Sequence, residues 1–135
     1  MIDSYGRSID YLRISVTDRC NLRCQYCMPQ GGVQSIPHQE ILTLEELLRL
    51  CRLFASLGVR KIKVTGGEPL VRKQVASFIG HLKEIDGIEQ VTLTSNGLAL
   101  ERCLPELQAA GLDGINISLD TIRREVFTFL TGTDG

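Results

Sequence analysis

The chain has 135 residues, 43% hydrophobic and 23% charged, with a net charge of −1, the balance of an ordinary globular sequence about one small domain long. Near-neutral charge argues against a general affinity for nucleic acid or for anionic membranes, while leaving room for a local basic pocket that takes one anionic ligand. No stretch is apolar for long enough to cross a bilayer, and Met1–Gly6 has neither the basic nor the apolar segment of a secretory leader, so the expected location is the cytosol, with no membrane or nucleic-acid partner.

Tyr11–Val16 alternates, with Leu12, Ile14 and Val16 on one side and Tyr11, Arg13 and Ser15 on the other, which predicts a strand. Thr17–Pro37 reads as a long loop rich in Gly, Gln and Pro, and it carries three of the five cysteines. Thr43 and Glu46 then form a capping box. Leu44, Leu47, Leu48, Cys51, Phe54 and Ala55 follow at helical spacing, and Gly58 is placed to end that helix. Lys61–Thr65 reads as a second strand, followed by the loop Gly66-Gly67-Glu68-Pro69 and a helix near Lys73–Ile85. A third strand, Gln90–Thr94, passes through the turn pair Asn96-Gly97 into a helix near Cys103–Ala110, which Gly111 ends. The fourth strand, Gly114–Ser118, leads to Asp120 and Thr121, either of which suits the N-cap of a helix beginning near Ile122.

Strands alternating with helices predict an α/β fold with a parallel sheet and right-handed crossovers. Ligands of such sheets sit at the carboxyl ends of the strands. Each unusual segment here follows a strand: the cysteine loop, Gly-Gly-Glu-Pro, Thr-Ser-Asn-Gly and Ser-Leu-Asp. Four loops are therefore expected to meet on one rim. Four strand–helix units do not close a barrel, so residues 1–135 are expected to be the amino-terminal part of a larger domain. Cys51 falls on the apolar face of a helix and reads as core, Cys103 as a packing residue, and His81 has no evident partner.

The sharpest signal is Cys20-Asn21-Leu22-Arg23-Cys24-Gln25-Tyr26-Cys27, a C-x3-C-x2-C spacing. In a reducing compartment, clustered thiols bind metal or do redox work more often than they form disulfides. Three thiolates on one loop suit three irons of a cubane and leave the fourth iron open to a small molecule, whereas electron-transfer clusters normally take four cysteines. Zinc is the alternative, with His38 the nearest fourth ligand. Zinc sites more often pair two C-x2-C knuckles, and only one is present.

This loop, including the aromatic Tyr26 just before its third cysteine, resembles the signature of radical S-adenosylmethionine (SAM) enzymes, and Gly66-Gly67-Glu68-Pro69 resembles the SAM-binding loop of the same family. The resemblance implies a partial (β/α) barrel and a 4Fe–4S cluster on Cys20, Cys24 and Cys27. It implies SAM contacts from Tyr26, Gly66, Gly67, Glu68 and Ser118, with Tyr26 beside the adenine and the glycine loop at the methionine amino group. The two glycines suit close approach of a ligand to the backbone, and Glu68 is read as fixing the loop rather than moving protons. Asn96, by its rim position, is a further residue near that pocket. Reductive cleavage of SAM would then give a 5′-deoxyadenosyl radical that takes hydrogen from the substrate.

Two longer runs, Arg13-Ile14-Ser15-Val16-Thr17-Asp18-Arg19-Cys20 and Thr65-Gly66-Gly67-Glu68-Pro69-Leu70-Val71-Arg72, resemble the GTP 3′,8-cyclase family of molybdenum cofactor biosynthesis, and the likeness runs from about Ile2 to Asp134. It implies abstraction of hydrogen from C3′ of GTP and attack on C8 of guanine, giving (8S)-3′,8-cyclo-7,8-dihydroguanosine 5′-triphosphate. It carries Arg13, Lys63 and Thr94 over as GTP contacts. It also implies an electron donor such as flavodoxin or ferredoxin and a downstream pterin-forming synthase. Lys63 stands where the family commonly has Arg, which loses the planar bidentate fork, and Gln74 stands where it often has Asp. The family's second cluster, on three cysteines of a C-terminal region, is not represented in these residues, so they are expected to be inactive alone. The alternatives are another radical SAM enzyme, one that matures a peptide or a cofactor, or a non-catalytic zinc module.

Overall fold

The computed structural model describes residues 2–28 and 36–134. Of the loop expected over Thr17–Pro37, residues 29–35 therefore lie outside the described residues, as does the side chain of His38.

Four parallel strands form one sheet in the order β1 (Tyr11–Ser15), β2 (Lys61–Thr65), β3 (Gln90–Ser95) and β4 (Gly114–Ile117). Register follows the alternation: Arg13 lies opposite Lys63, Lys63 opposite Thr92, and Thr94 opposite Asn116. Between and after the strands run α1 (Leu44–Ser56), α2 (Val75–Lys83), α3 (Leu100–Ala109) and α4 (Arg124–Thr131). This is the expected α/β order with a parallel sheet.

The two faces of the sheet differ in chemistry. Ile62 and Val64 of β2 and Val91 and Leu93 of β3 pack with Leu47 and Cys51 of α1, with Phe78, Ile79 and Leu82 of α2, and with Leu107 of α3. All of these are buried, and each large side chain fully removed from water stabilises the fold by about 1.5–3 kcal/mol before entropy is counted. The opposite face carries Arg13, Lys63, Thr65, Thr92, Thr94 and Asn116, which are half-buried or exposed.

Local signals set most helix ends. Thr43 Oγ1 accepts from the Glu46 amide at 3.1 Å, and Glu46 accepts from the Thr43 amide at 2.8 Å, so the capping box of α1 is complete. Gly58 follows that helix at φ +99°, a left-handed conformation that costs glycine little. Helix α2 starts later than the pattern suggests, because Gln74 is its N-cap at φ 64° with no side-chain cap. It is the one non-glycine residue with positive φ among the described residues. Asp or Asn tolerates that conformation better, so Gln74 bears on the helix start through the backbone.

Two boundaries are corrected. Helix α3 begins at Leu100 rather than near Cys103, with Pro105 inside it and no side-chain cap at Ala99. Helix α4 begins at Arg124, and its N-cap Arg123 has no side-chain cap. Asp120 and Thr121 are therefore not its N-cap. Thr121 Oγ1 accepts from the Arg123 amide in a turn before the helix, and Asp120 points elsewhere.

Candidate functional site

The carboxyl ends of the four strands bring the four unusual loops together. Backbone comes first. After β1 and β2 the chains run side by side: the Gly67 amide donates to Thr17 O at 2.7 Å and the Glu68 amide to Arg19 O at 2.8 Å. A Cβ on Gly66 would stand 2.7 Å from Thr17 O, and one on Gly67 would stand 2.6 Å from the Arg19 carbonyl carbon and 2.8 Å from Asp18 O. All three distances are closer than real Cβ atoms come to backbone. On the side a Cβ would occupy, the glycines thus admit the cysteine loop's own backbone.

Glu68 is buried, 1% exposed. Its carboxylate accepts from the Leu70 amide at 3.0 Å, the Ser95 hydroxyl at 2.9 Å and the Asn96 amide at 2.7 Å. A buried carboxylate is tolerated when donors surround it, and these three tie the end of β3 to the loop after β2. Asn96 carries the tie onward, since its Nδ2 donates to Asn21 Oδ1 at 2.8 Å and lies 3.9 Å from the Cys20 sulfur.

The cysteine loop is a tight turn, in which the Cys27 and Met28 amides both donate to Cys24 O at 2.9 and 2.8 Å. Cys24 is buried, Cys20 half-buried and Cys27 exposed. The loop is also seated on the end of α4. The Arg23 amide donates to Thr131 O at 2.8 Å and the Gln25 amide to Leu130 O at 2.9 Å, while Gln25 Nε2 donates to Phe129 O at 2.8 Å. These bonds satisfy carbonyls that a helix C-terminus leaves without partners. Spacing alone gave no sign of this support, because its acceptors are backbone groups about a hundred residues away.

Across the rim, the Tyr26 hydroxyl donates to Asp120 Oδ2 at 2.8 Å. That bond first, then the neighbouring Cys24 thiol and partial burial, pushes the phenol well above its ordinary value. The Cys27 thiol is also pushed up, by partial burial and then by negative charge on Cys24, Cys20 and Asp120. Ser118, exposed beyond β4, donates its amide to Ser95 O at 2.9 Å.

Below the rim, on the polar face, Lys63 Nζ donates to Asn116 Oδ1 at 2.8 Å. Arg13 lies exposed beside Lys63, and Thr94 is half-buried opposite Asn116. Asn116 was not singled out by its sequence. The signal available was its phase in β4, two residues before Ser118 on the same side.

Among the described residues no three His, Cys, Asp or Glu side chains are gathered as for one metal ion. Cys20, Cys24 and Cys27 are nonetheless near enough for charge on two to act on the third. Cys51 is buried in α1, where desolvation pushes its thiol up to about 11, and Cys103 packs against the core from α3. Three neighbouring thiols with no fourth cysteine on the rim fit a cluster in which each sulfur takes a different iron.

A parallel α/β sheet whose first carboxyl-end loop presents three thiols defines a class of cluster-dependent enzyme. The family model described as the Radical SAM superfamily matches residues 14–134, and the chain belongs to that superfamily, whose cofactors are a 4Fe–4S cluster and SAM. More particularly, the chain is 56% identical over 131 residues to a GTP 3′,8-cyclase of Heliobacterium modesticaldum, a match that takes in 97% of this chain and 40% of that protein. It is 52% identical over 135 residues to Molybdenum cofactor biosynthesis protein 1 of Drosophila melanogaster, covering 100% of this chain and 24% of that one. The chain thus spans less than half the length of these relatives.

Among solved structures, HydG, a maturase of the FeFe hydrogenase, superposes with a TM-score of 0.70 at 19% identity over 96% of this chain and 30% of that one. BtrN in complex with AdoMet and 2-DOIA gives 0.62 at 21% identity, over 93% and 53%. At these identities the likeness speaks for the fold. No helix among the described residues is long and apolar enough to cross a membrane.

Proposed function

We propose that this chain is the amino-terminal part of the radical SAM core of a GTP 3′,8-cyclase, acting in the cytoplasm without membrane or nucleic-acid partners. The observation that carries the reading is the register of Arg13 beside Lys63 on the polar face, directly below the rim that holds the three cysteines. Two cations in one row suit a triphosphate, and the relatives named GTP 3′,8-cyclase favour this reading over a peptide- or cofactor-maturing one.

In this reading Cys20, Cys24 and Cys27 hold the 4Fe–4S cluster, and Tyr26, Gly66, Gly67, Glu68 and Ser118 form the SAM pocket. When bound, cluster and SAM together supply one-electron cleavage of SAM and a hydrogen-abstracting radical. The chain's own residues do the binding and orienting. Arg13 and Lys63 grip the triphosphate, Asn116 holds Lys63 Nζ in place, and Thr94 offers a hydroxyl beside them. Lys63, a single point charge, grips less rigidly than Arg would. Glu68 keeps the rim loops joined through its three hydrogen bonds. A flavodoxin- or ferredoxin-like donor delivers the electron, and a pterin-forming synthase takes the product.

The test uses the full-length protein, reconstituted anaerobically. Arg13→Ala is expected to weaken GTP binding roughly tenfold to a hundredfold, the effect of losing a charge-assisted phosphate contact, with iron content and SAM affinity unchanged. Unchanged GTP affinity would remove the cyclase reading while leaving the superfamily membership untouched.

A further inference from the structure

The ring of Tyr26 projects from the turn between Cys24 and Cys27, and 65% of the residue is exposed. Packing therefore does little to fix its side-chain torsions, and an exposed aromatic ring retains rotamer freedom that must be lost on binding a flat ligand. The backbone of the turn is held by the Cys27 and Met28 amides, which orient the chain and leave the ring free to rotate. What reaches the far end of the ring is Asp120, whose Oδ2 accepts from the Tyr26 hydroxyl at 2.8 Å across 94 residues of sequence.

Asp120 has no role in starting the helix that follows it. Helix α4 begins at Arg124 behind an N-cap without a side-chain bond, and the turn before it is closed by Thr121. The carboxylate lies just past β4, on the same loop as Ser118, whose amide is fixed to Ser95 O. Its base is thus tied to the neighbouring strand, and its free end is spent on Tyr26.

We propose that Asp120 is a positioning residue. It holds the Tyr26 ring, through the phenol, in the orientation against which the adenine of SAM packs, and so joins the loop after β4 to the cysteine loop before the ligand arrives. This rests on the reading of the rim as a SAM site. It predicts that Asp120 acts through Tyr26 and as a hydrogen-bond acceptor, without itself touching SAM.

A double-mutant cycle on the anaerobically reconstituted full-length protein separates these statements. SAM dissociation constants are measured by equilibrium binding, together with iron and sulfide content, for Tyr26→Phe, Asp120→Ala, the two combined, and Asp120→Asn. Loss of one hydrogen bond that preorganises a site is expected to weaken SAM binding roughly threefold to tenfold. The proposal expects that loss in Tyr26→Phe and in Asp120→Ala. It expects no further loss in the double variant, most of the affinity back in Asp120→Asn, which keeps an acceptor oxygen, and iron content unchanged throughout.

A double variant as weak as the product of the two singles overturns the proposal, because the residues then act separately. So does Asp120→Asn as weak as Asp120→Ala, or Tyr26→Phe with wild-type affinity. If Asp120→Ala loses its iron, Tyr26→Phe and Asp120→Asn, which preserve shape, still decide. Wild-type protein that carries the cluster yet binds no SAM overturns the underlying reading of the rim, a result distinct from all of these.

Discussion

The two faces of the sheet are built from the same strands and do different work. In β2, Ile62 and Val64 are 1% and 0% exposed against the helices, while Lys63 between them is half-buried on the other side and bonded to Asn116. On the helix face the interactions are non-directional and numerous. On the polar face and the rim above it they are directional and few, and several run through backbone groups. Stability and site are therefore separable here by a single step along a strand, so a substitution on either face has a distinct expected signature.

The largest effect on stability belongs to the helix face. Leu82→Ala, at a fully buried position, is expected to cost about 2–5 kcal/mol. Chemical denaturation of the full-length protein should show this, with iron bound per folded molecule unchanged. Loss of iron in proportion to stability would break the separation of the faces. Next comes the junction between the regions. Glu68→Ala strands three donors, the Leu70 amide, the Ser95 hydroxyl and the Asn96 amide, and is expected to cost about 1–3 kcal/mol. Unlike Leu82→Ala, it should also lower cluster content, because the rim loops lose their tie. Glu68→Ala with full iron content would show that Asn96 and Asn21 suffice.

On the polar face, Lys63→Met is expected to weaken GTP binding roughly tenfold with stability changed by less than about 0.5 kcal/mol, measured by equilibrium binding and denaturation side by side. A large loss of stability instead would make Lys63 structural.

The smallest effect lies at the amino ends of the strands, far from the rim. Asp113 accepts from the Val91 amide at 2.6 Å and pairs with Lys83 at 2.8 Å. Burial pushes its carboxyl up, but the Lys83 bond and the Val91 amide outweigh it, so the group sits below its usual range. A depressed carboxyl stabilises the fold above its unfolded value, and that contribution is lost as pH falls through the folded value. Asp113→Asn should therefore cost about 1 kcal/mol at neutral pH, and the difference from wild type should begin to shrink as pH drops below about 4 and be gone once pH lies below the depressed folded value. A difference that keeps its neutral-pH size throughout the acid limb would assign the effect to shape rather than charge.

Most of the fold was legible because its signals are local. Alternation marked β1, and the Thr43–Glu46 box marked α1. Helices α3 and α4 were misplaced at their starts because Ala99 and Arg123 offer no side-chain cap, so no residue type announces them. The spacing of the cysteines marked a metal or cluster loop, with zinc still open, and the resemblance to radical SAM enzymes pointed to 4Fe–4S. What escaped were pairings that depend on register or on distant backbone: Asn116 under Lys63, Asn21 under Asn96, and the carbonyls at the end of α4 under Arg23 and Gln25. Gly66 and Gly67 were marked for close approach of a ligand; that Thr17–Arg19 lies against them on the side a Cβ would occupy had no local signal.

The central claim is that the rim, and specifically Cys20, Cys24 and Cys27, holds a 4Fe–4S cluster. Iron, sulfide and zinc analysis of the anaerobically reconstituted full-length protein, set against the Cys20→Ala/Cys24→Ala/Cys27→Ala variant, tests this. The account predicts that the variant loses iron and sulfide in equal amounts, corresponding to one cluster, together with that cluster's share of the broad absorption near ~400 nm expected of thiolate-held iron, and that neither protein holds zinc at this loop. A variant that retains all the iron of the wild type, or a wild-type loop that holds zinc without sulfide, would contradict it.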